Sequence, residues 1–597
     1  MATTPLRDIA ALETRSASQR CATFHAISTP LDWLRTMKLN VLLPFNRHSH
    51  TRLRSALYVA AVFVIATAAA ADPLQDKVKN VVVIYAENRS FDNLYGKFAG
   101  ADGLRTVLDA NGKPLAAYVP QKDRDGVTPL ATLPPTWSGV TSGGVTPAVS
   151  QAQSTGLPNA PFSIETAFQA SAGATLSRTT ATRDLVHRFF ENQMQINGGK
   201  NDMFAAWSDA GGLALGHFDY STSPLYKLAQ QYVLADHFFQ GAFGGSFLNH
   251  QYLICACAPE YAHADTAAAH PTIAVVNKDA NGRYTSQLST TPQSPVSALD
   301  GAPKFVSNGN ITPANYFGDG KFYAVNTMQP LYQPSGNPPQ DADGDKALYA
   351  NPTRATTLPA QTATTIGDLL SAKNVSWKWY AGAWKQALAD GMQAPTTPRS
   401  VIYATNAQGV ASDHQVDFQA HHQPFNYYAA FDPASNAKAR ASHLQDYTDL
   451  VQDAAAGTLP SVAFYKPEGV YNQHPGYANL ADGDERIADL VSKLQSSPQW
   501  KNMVVVITYD EFGGAWDHVA PPKGDLLGPG TRIPTIVVSP FAKKGTVDHT
   551  VYDTASVLRL ISRVHGLPTL PGIAQRDAAL KAAGGQPMGD LSNALNF

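Results

Sequence analysis

The chain has 597 residues, with 45 Lys and Arg against 47 Asp and Glu for a formal net charge of −2, which gives no electrostatic argument for nucleic acid or a polybasic membrane anchor. With 44% hydrophobic residues, 44 Gly and 41 Pro, the composition is that of a globular protein with long ordered loops. The length permits several domains, but no stretch resembles a linker between modules, so one large α/β domain with insertions is expected.

Arg47, Arg52 and Arg54 precede an apolar run over 56–65 that passes through small residues to Ala71. That order is the one of a Sec-type signal peptide, with a core too short for a convincing membrane span and no twin arginine. Residues 1–36 lack the pattern and Met37 would start a more usual signal. The expectation is therefore 1–71 as signal peptide with a misassigned upstream start, and 72–597 as an exported, periplasmic or secreted, catalytic domain without a stable membrane anchor after cleavage.

Residues 78–85 form a continuous apolar run, as in a strand buried on both faces. It ends in Glu87 and Asn88, two hard oxygen donors suited to a divalent cation, although Glu-Asn before a helix start is also good capping chemistry. Residues 103–160 read as a surface excursion. A helix is expected from about Ala181 to the Gly198-Gly199 pair, placing His187 and Glu191 one turn apart on one face. Gly244 and Gly245 then lead into an amphipathic pattern starting at Ser246. A tight turn entering a helix points backbone N–H groups at whatever binds there and favours an anion, and Asn249 shares a face with Ser246. Ser is also an ordinary N-cap.

Of three cysteines, Cys255 and Cys257 are too close in sequence for an easy disulfide and not spaced as a zinc site, so they read as small buried residues. An insertion is expected over about 258–360, with a hairpin at Asn281-Gly282. A helix from Thr365 through Leu370, an aromatic strand over 375–380 and a loop carrying His421 and His422 follow. Next come a helix over 444–455, a strand over 461–465, the His474 loop and a helix over 485–494.

The run 504–508 is a second fully buried strand, and it stops at Asp510 and Glu511. Two carboxylates at the carboxyl end of a buried parallel strand repel each other unless a cation or phosphate-binding partners stabilise them, and the plainer reading is an Asp-Glu pair capping a helix or turn. A strand over 533–538 and a helix over 554–564 close the pattern, which is that of an α/β sandwich with a largely parallel sheet.

Taken together, ENRSFDNLYG at 87–96, NGGKND at 197–202, SWKWY at 376–380, YDEFGGAWDHVAPP at 509–522 and the segment 530–561 resemble the phosphoesterase family of bacterial secreted acid phosphatases and phospholipases C. The resemblance implies an alkaline phosphatase-like α/β fold and one divalent metal ion, of unknown identity, held by Glu87, Asn88, the nucleophile and Asp510, with Glu511 beside it. GGSFLNHQ and HHQPFNYY are similar to the acid phosphatase branch. By that match Ser246 is the nucleophile, and His187, Asn249, His421, His422 and His474 contact the phosphoryl group, His474 as proton donor to the leaving oxygen. Glu511 departs from the Asp-Asp pair of that branch and agrees with the phospholipase form.

The expected activity is hydrolysis of phosphomonoesters through a phosphoserine, with an acidic pH optimum if the imidazoles are protonated. A phospholipase C acting on phosphodiesters is the alternative within the family. A non-catalytic exported phosphate-binding protein is the alternative of another class.

Overall fold

The computed structural model describes residues 72–168, 175–341, 344–402 and 418–597; the expected signal peptide lies outside the described residues. The core is an eight-stranded sheet built from β1 (Asn80–Ala86), β2 (Val233–Ala235), β3 (Trp377–Ala381), β4 (Leu444–Asp446), β5 (Val462–Lys466), β6 (Met503–Tyr509), β7 (Thr535–Val538) and β8 (Thr546–Asp548). Their order across the sheet is β4-β3-β5-β1-β6-β7-β2-β8. All strands but β7 run the same way.

The two longest apolar runs, NVVVIYA and MVVVITY, are the adjacent central strands β1 and β6, and every residue of both is buried. That is the pattern required of a parallel strand covered on both faces. Helix α1 (Phe189–Ile196) precedes the central glycine turn. Helices α2 (Pro224–Gln231), α4 (Tyr447–Ala456) and α5 (Leu480–Ser496) pack together, while α3 (Ser246–Cys255) packs with α6 (Thr554–His565). Every residue of α3 is buried, so the segment carrying Ser246 is held in the interior and not on a surface loop.

Three expectations are corrected. The segment from Ala181 is no helix until Phe189, because its backbone donors are taken elsewhere: Arg183 N–H by the Val140 carbonyl at 2.7 Å and Val186 N–H by Asp209 Oδ1 at 2.8 Å. His187 and Glu191 therefore do not share a helical face. Leu444–Asp446 is an edge strand beside β3, and the helix begins only after Asp446, which caps it. Cys255 and Cys257 do form a disulfide. Ala256 between them takes the left-handed conformation, φ 51° and ψ 38°, and turns the chain back so that the two Cα atoms lie 5.1 Å apart, inside the range a bridge spans.

Within 258–360, Val276–Lys278 pairs with Tyr284–Leu288 across the expected Asn281-Gly282 turn. Gln329–Pro330 pairs with Thr357–Leu358. These strands stay outside the eight-stranded sheet. Among the described residues no helix is long and apolar enough to cross a membrane.

Candidate active site

The carboxyl ends of β5, β1 and β6 lie side by side, so Lys466, Glu87-Asn88 and Asp510-Glu511 emerge at one edge of the sheet. Asn88 adopts φ 63°, and its N–H donates to Asp510 Oδ1 at 3.1 Å. The same oxygen accepts the Glu511 N–H at 2.8 Å. Gly513, at φ 61°, closes the turn after the pair; a Cβ there would collide with the Asn88 carbonyl.

Ser246 is the first residue of α3, and its Oγ lies 3.2 Å from Asn88 Oδ1 and 3.5 Å from Glu511 Oε1. His187 Nδ1 faces the Leu185 carbonyl at 2.6 Å, which makes Nδ1 the protonated nitrogen and Nε2 the acceptor for Asn88 Nδ2 at 3.3 Å. This fixes the Asn88 amide so that its oxygen points at Ser246. A cavity of about 430 Å³ opens onto the serine, with His187, His421, His474 and Tyr477 in its wall. His474 stacks on Tyr477 at 4.5 Å, and its Nδ1 is held by the Pro475 carbonyl.

Two expected phosphoryl contacts are placed otherwise. Asn249 is fully buried, with Oδ1 accepting the Ala242 N–H at 2.9 Å and Nδ2 donating to the carbonyls of Ala242, Gly244 and Gly245 at 3.1–3.3 Å. It holds the glycine turn that presents Ser246. His422 is also fully buried; its Nε2 lies 2.7 Å from Glu87 Oε1, whereas its neighbour His421 lines the cavity. Adjacent residues in a tight turn point in different directions, and only one of the pair can reach the opening.

Two further residues, Lys466 and His250, carry no motif in the sequence yet reach the centre. Lys466 is fully buried, with Nζ 3.0 Å from Glu87 Oε1 and 3.9 Å from Asp510 Oδ2. His250, one turn after Ser246, places Nδ1 2.7 Å from the Ser246 carbonyl and 3.7 Å from Asp510 Oδ2. The available signal was position: Lys466 ends an apolar strand run, as the residues before Glu87 and Asp510 do.

The electrostatics are those of crowded buried carboxylates. Burial would raise Glu87, but the Lys466 ammonium and His422 hold it well below the usual carboxylate range. Burial and the Glu87 charge push Asp510 up to about 6 despite Lys466, and burial together with Asp510 raises Glu511 well above its ordinary value. Burial also depresses His187 and His474, and takes His422 down to about 3. The imidazolium argument for an acidic optimum therefore has no support from these three residues.

The donor set fits a hard divalent cation. The spacings of 3.2 and 3.5 Å from Ser246 Oγ to the Asn88 and Glu511 oxygens match neighbouring oxygens around one ion bound at about 2.1–2.5 Å. Asp510 Oδ2 is buried without a hydrogen bond, and Asp510 also groups with Glu87 and His250 within reach of a single ion.

The Phosphoesterase family matches residues 78–568. The chain belongs to that family. Relatives of this phosphoesterase include non-specific phospholipase C6 of Arabidopsis thaliana, 36% identical over 119 residues, covering 16% of this chain and 23% of the relative. Phospholipase C B of Mycobacterium tuberculosis is 29% identical over 198 residues, 29% of this chain and 36% of the relative. Non-hemolytic phospholipase C of Pseudomonas aeruginosa is 28% identical over 205 residues, 29% of this chain and 28% of the relative. The matched stretches thus span about a quarter to a third of these relatives' length. Among solved structures, the phosphonate monoester hydrolase of Silicibacter pomeroyi overlaps 61% of this chain and 70% of its own at 11% identity, with a TM-score of 0.22, a superposition too partial to bear on the fold.

Proposed function

We propose that this phosphoesterase is an exported, metal-dependent hydrolase of phosphomonoesters that works through a phosphoserine at Ser246. The observation that carries this reading is the position of Ser246 Oγ: at the N-terminus of a buried ten-residue helix, 3.2 Å from Asn88 Oδ1, at the floor of a cavity walled by three imidazoles. A helix N-terminus offers unpaired N–H groups and a partial positive charge to the phosphoryl oxygens.

Glu87, Asn88, Ser246 and Asp510 would hold the cation, with Glu511 alongside. When bound, it supplies a lowered hydroxyl pKa and neutralisation of charge on the phosphoryl group. The Ser246 hydroxyl passes its proton to the ionised form of Glu511, whose Oε1 lies 3.5 Å away and whose raised pKa makes it the stronger base. Ser246 Oγ then forms a bond to phosphorus as the bond from phosphorus to the ester oxygen breaks in line, and the leaving oxygen takes its proton from solvent water beside His474. His421 faces the substrate oxygens from the cavity wall, while His187 holds the Asn88 amide in place. Water hydrolyses the phosphoserine in the second half-reaction and restores the hydroxyl.

A terminal phosphoryl group presents three non-bridging oxygens to the unpaired N–H groups that open α3. The second reading, a phosphodiesterase of phospholipase C type, is favoured by the Tyr509-Asp510-Glu511 sequence and by the names of the relatives. Initial rates on p-nitrophenyl phosphate and on phosphatidylcholine, with added divalent cations, separate the two. Faster turnover of the monoester is expected, and hydrolysis of the lipid alone would replace this reading by the second. Ser246→Ala should lower turnover on the order of 10³-fold or more with an unchanged melting temperature.

A further inference from the structure

We propose that Asp236, His237 and His549 form a second cation site, of the zinc class, at the outer end of the same sheet edge. The register of the edge strands builds it. β2 and β8 run parallel with Ala235 opposite Asp548, so the next residues of the two strands, Asp236 and His549, leave the sheet as neighbours, and His237 follows. Two backbone bonds fix the pair of exits: Asp236 N–H to the Asp548 carbonyl at 3.2 Å and Tyr552 N–H to the His237 carbonyl at 2.9 Å.

Both imidazoles converge on one buried carboxylate. His237 Nδ1 lies 2.8 Å from Asp236 Oδ1, and His549 Nδ1 lies 2.9 Å from Oδ2 and 3.0 Å from Oδ1. Ligand atoms around a tetrahedral zinc with bonds of about 2.0–2.1 Å stand about 3.3 Å apart, so the two Asp236–imidazole separations must open by only a few tenths of an ångström, and all three ligand atoms already lie within 4.8 Å of one another. The His549 side chain is 60% exposed and free to make that adjustment, while the Asp236 side chain is fully buried and fixed by the Asp102 N–H at 2.8 Å. The other His237 nitrogen, Nε2, faces Asp102 Oδ2 at 3.5 Å. A carboxylate behind a ligating imidazole orients the ring and raises its basicity.

The surrounding charge favours a cation. Arg532 gives its guanidinium to the carboxylates of Asp517 at 3.0 Å and Asp92 at 3.2 Å, and meets Asp236 only through the backbone carbonyl. His518 serves Asp92 at 2.6 Å and Asp102 at 3.1 Å. Four carboxylates, those of Asp92, Asp102, Asp236 and Asp517, therefore share one guanidinium and the His518 imidazole. Two imidazoles and one carboxylate, with solvent able to supply a fourth ligand beside His549, select zinc over magnesium or calcium. The set shares no residue with the Ser246 centre, and β7 separates the β2 and β8 exits from β6. Its role is to tie the outermost strand β8 to β2.

The test is equilibrium dialysis of the full chain against Zn²⁺ followed by metal counting, in the wild type and in His549→Ala. The variant should bind one zinc fewer per chain, lose the zinc-dependent rise in melting temperature, and retain hydrolysis of p-nitrophenyl phosphate. Equal zinc content in the two proteins would overturn the proposal. Cobalt substitution of the wild type gives an answer that does not depend on the variant folding. An intense visible band of tetrahedral Co²⁺ is expected from this nitrogen-containing set, and a spectrum with only the weak octahedral band would overturn it.

Discussion

Lys466 shows how single residues set the state of the centre. Its ammonium is fully buried between Glu87 and Asp510, and a buried charge is retained only where partners compensate its desolvation. Lys466→Met leaves both carboxylates facing each other without that cation. The metal-free variant should lose about 3–5 kcal/mol of stability in denaturant unfolding, and a loss below about 1 kcal/mol would mean that the carboxylates are neutralised by other means. Asn249 acts through the chain around it. Asn249→Ala removes the hydrogen bonds to Ala242, Gly244 and Gly245. It should cost about 1–3 kcal/mol of stability and lower kcat while KM stays near its original value, because the side chain positions Ser246 and does not touch substrate. A large rise in KM with kcat intact would restore it as a binding residue.

Among the elements, the turn after β6 has no room for a side chain at Gly513. Gly513 sits at φ 61° against the Asn88 carbonyl, so Gly513→Ala must displace either Asn88 or Glu511, both within 3.5 Å of Ser246 Oγ. Activity should fall by at least about 10-fold, since displacements near 1 Å at a reacting centre cost about 100-fold. Equal kinetics in wild type and variant would show that the turn does not set the donor geometry. Sequence patterning located the strands whose continuous apolar runs report burial on both faces, β1 and β6, and also β3, β5, β7 and the amphipathic helices α3, α5 and α6. What it missed depends on partners distant in sequence. Residues 181–188 have helix-compatible composition but give their N–H groups to Val140 and Asp209, and β2, β4 and β8 are three-residue strands too short for any pattern to show. The candidate site was legible where a donor ends a strand, as at Glu87, Asn88 and Asp510, or opens a helix after a glycine turn, as at Ser246. It was not legible where orientation decides, as for His421 against His422.

At the scale of the whole molecule, the charge network around Arg532 joins the loop after β6 to the start of β7 and the exit of β2. Although burial opposes it, Asp92 and Asp102 push His518 up to about 10. A group whose folded pKa is raised from 6.5 to about 10 gives its full stabilisation below about pH 6.5 and loses it as the pH rises toward 10. Its contribution to unfolding stability should therefore fall by up to about 1.4 kcal/mol per pH unit across that window, and the slope should flatten in His518→Gln. Denaturant unfolding between pH 7 and 10 measures both slopes, and identical slopes would remove His518 from the account.

The proposed reaction turns on Ser246 carrying the phosphoryl group. Acid quenching during turnover of a phosphomonoester, followed by peptide mass mapping, tests it directly. One added phosphoryl group is expected on the peptide containing Ser246, and none in Ser246→Ala. Turnover at the normal rate with no phosphorylated Ser246 peptide, or with the phosphoryl group on another residue, would contradict it.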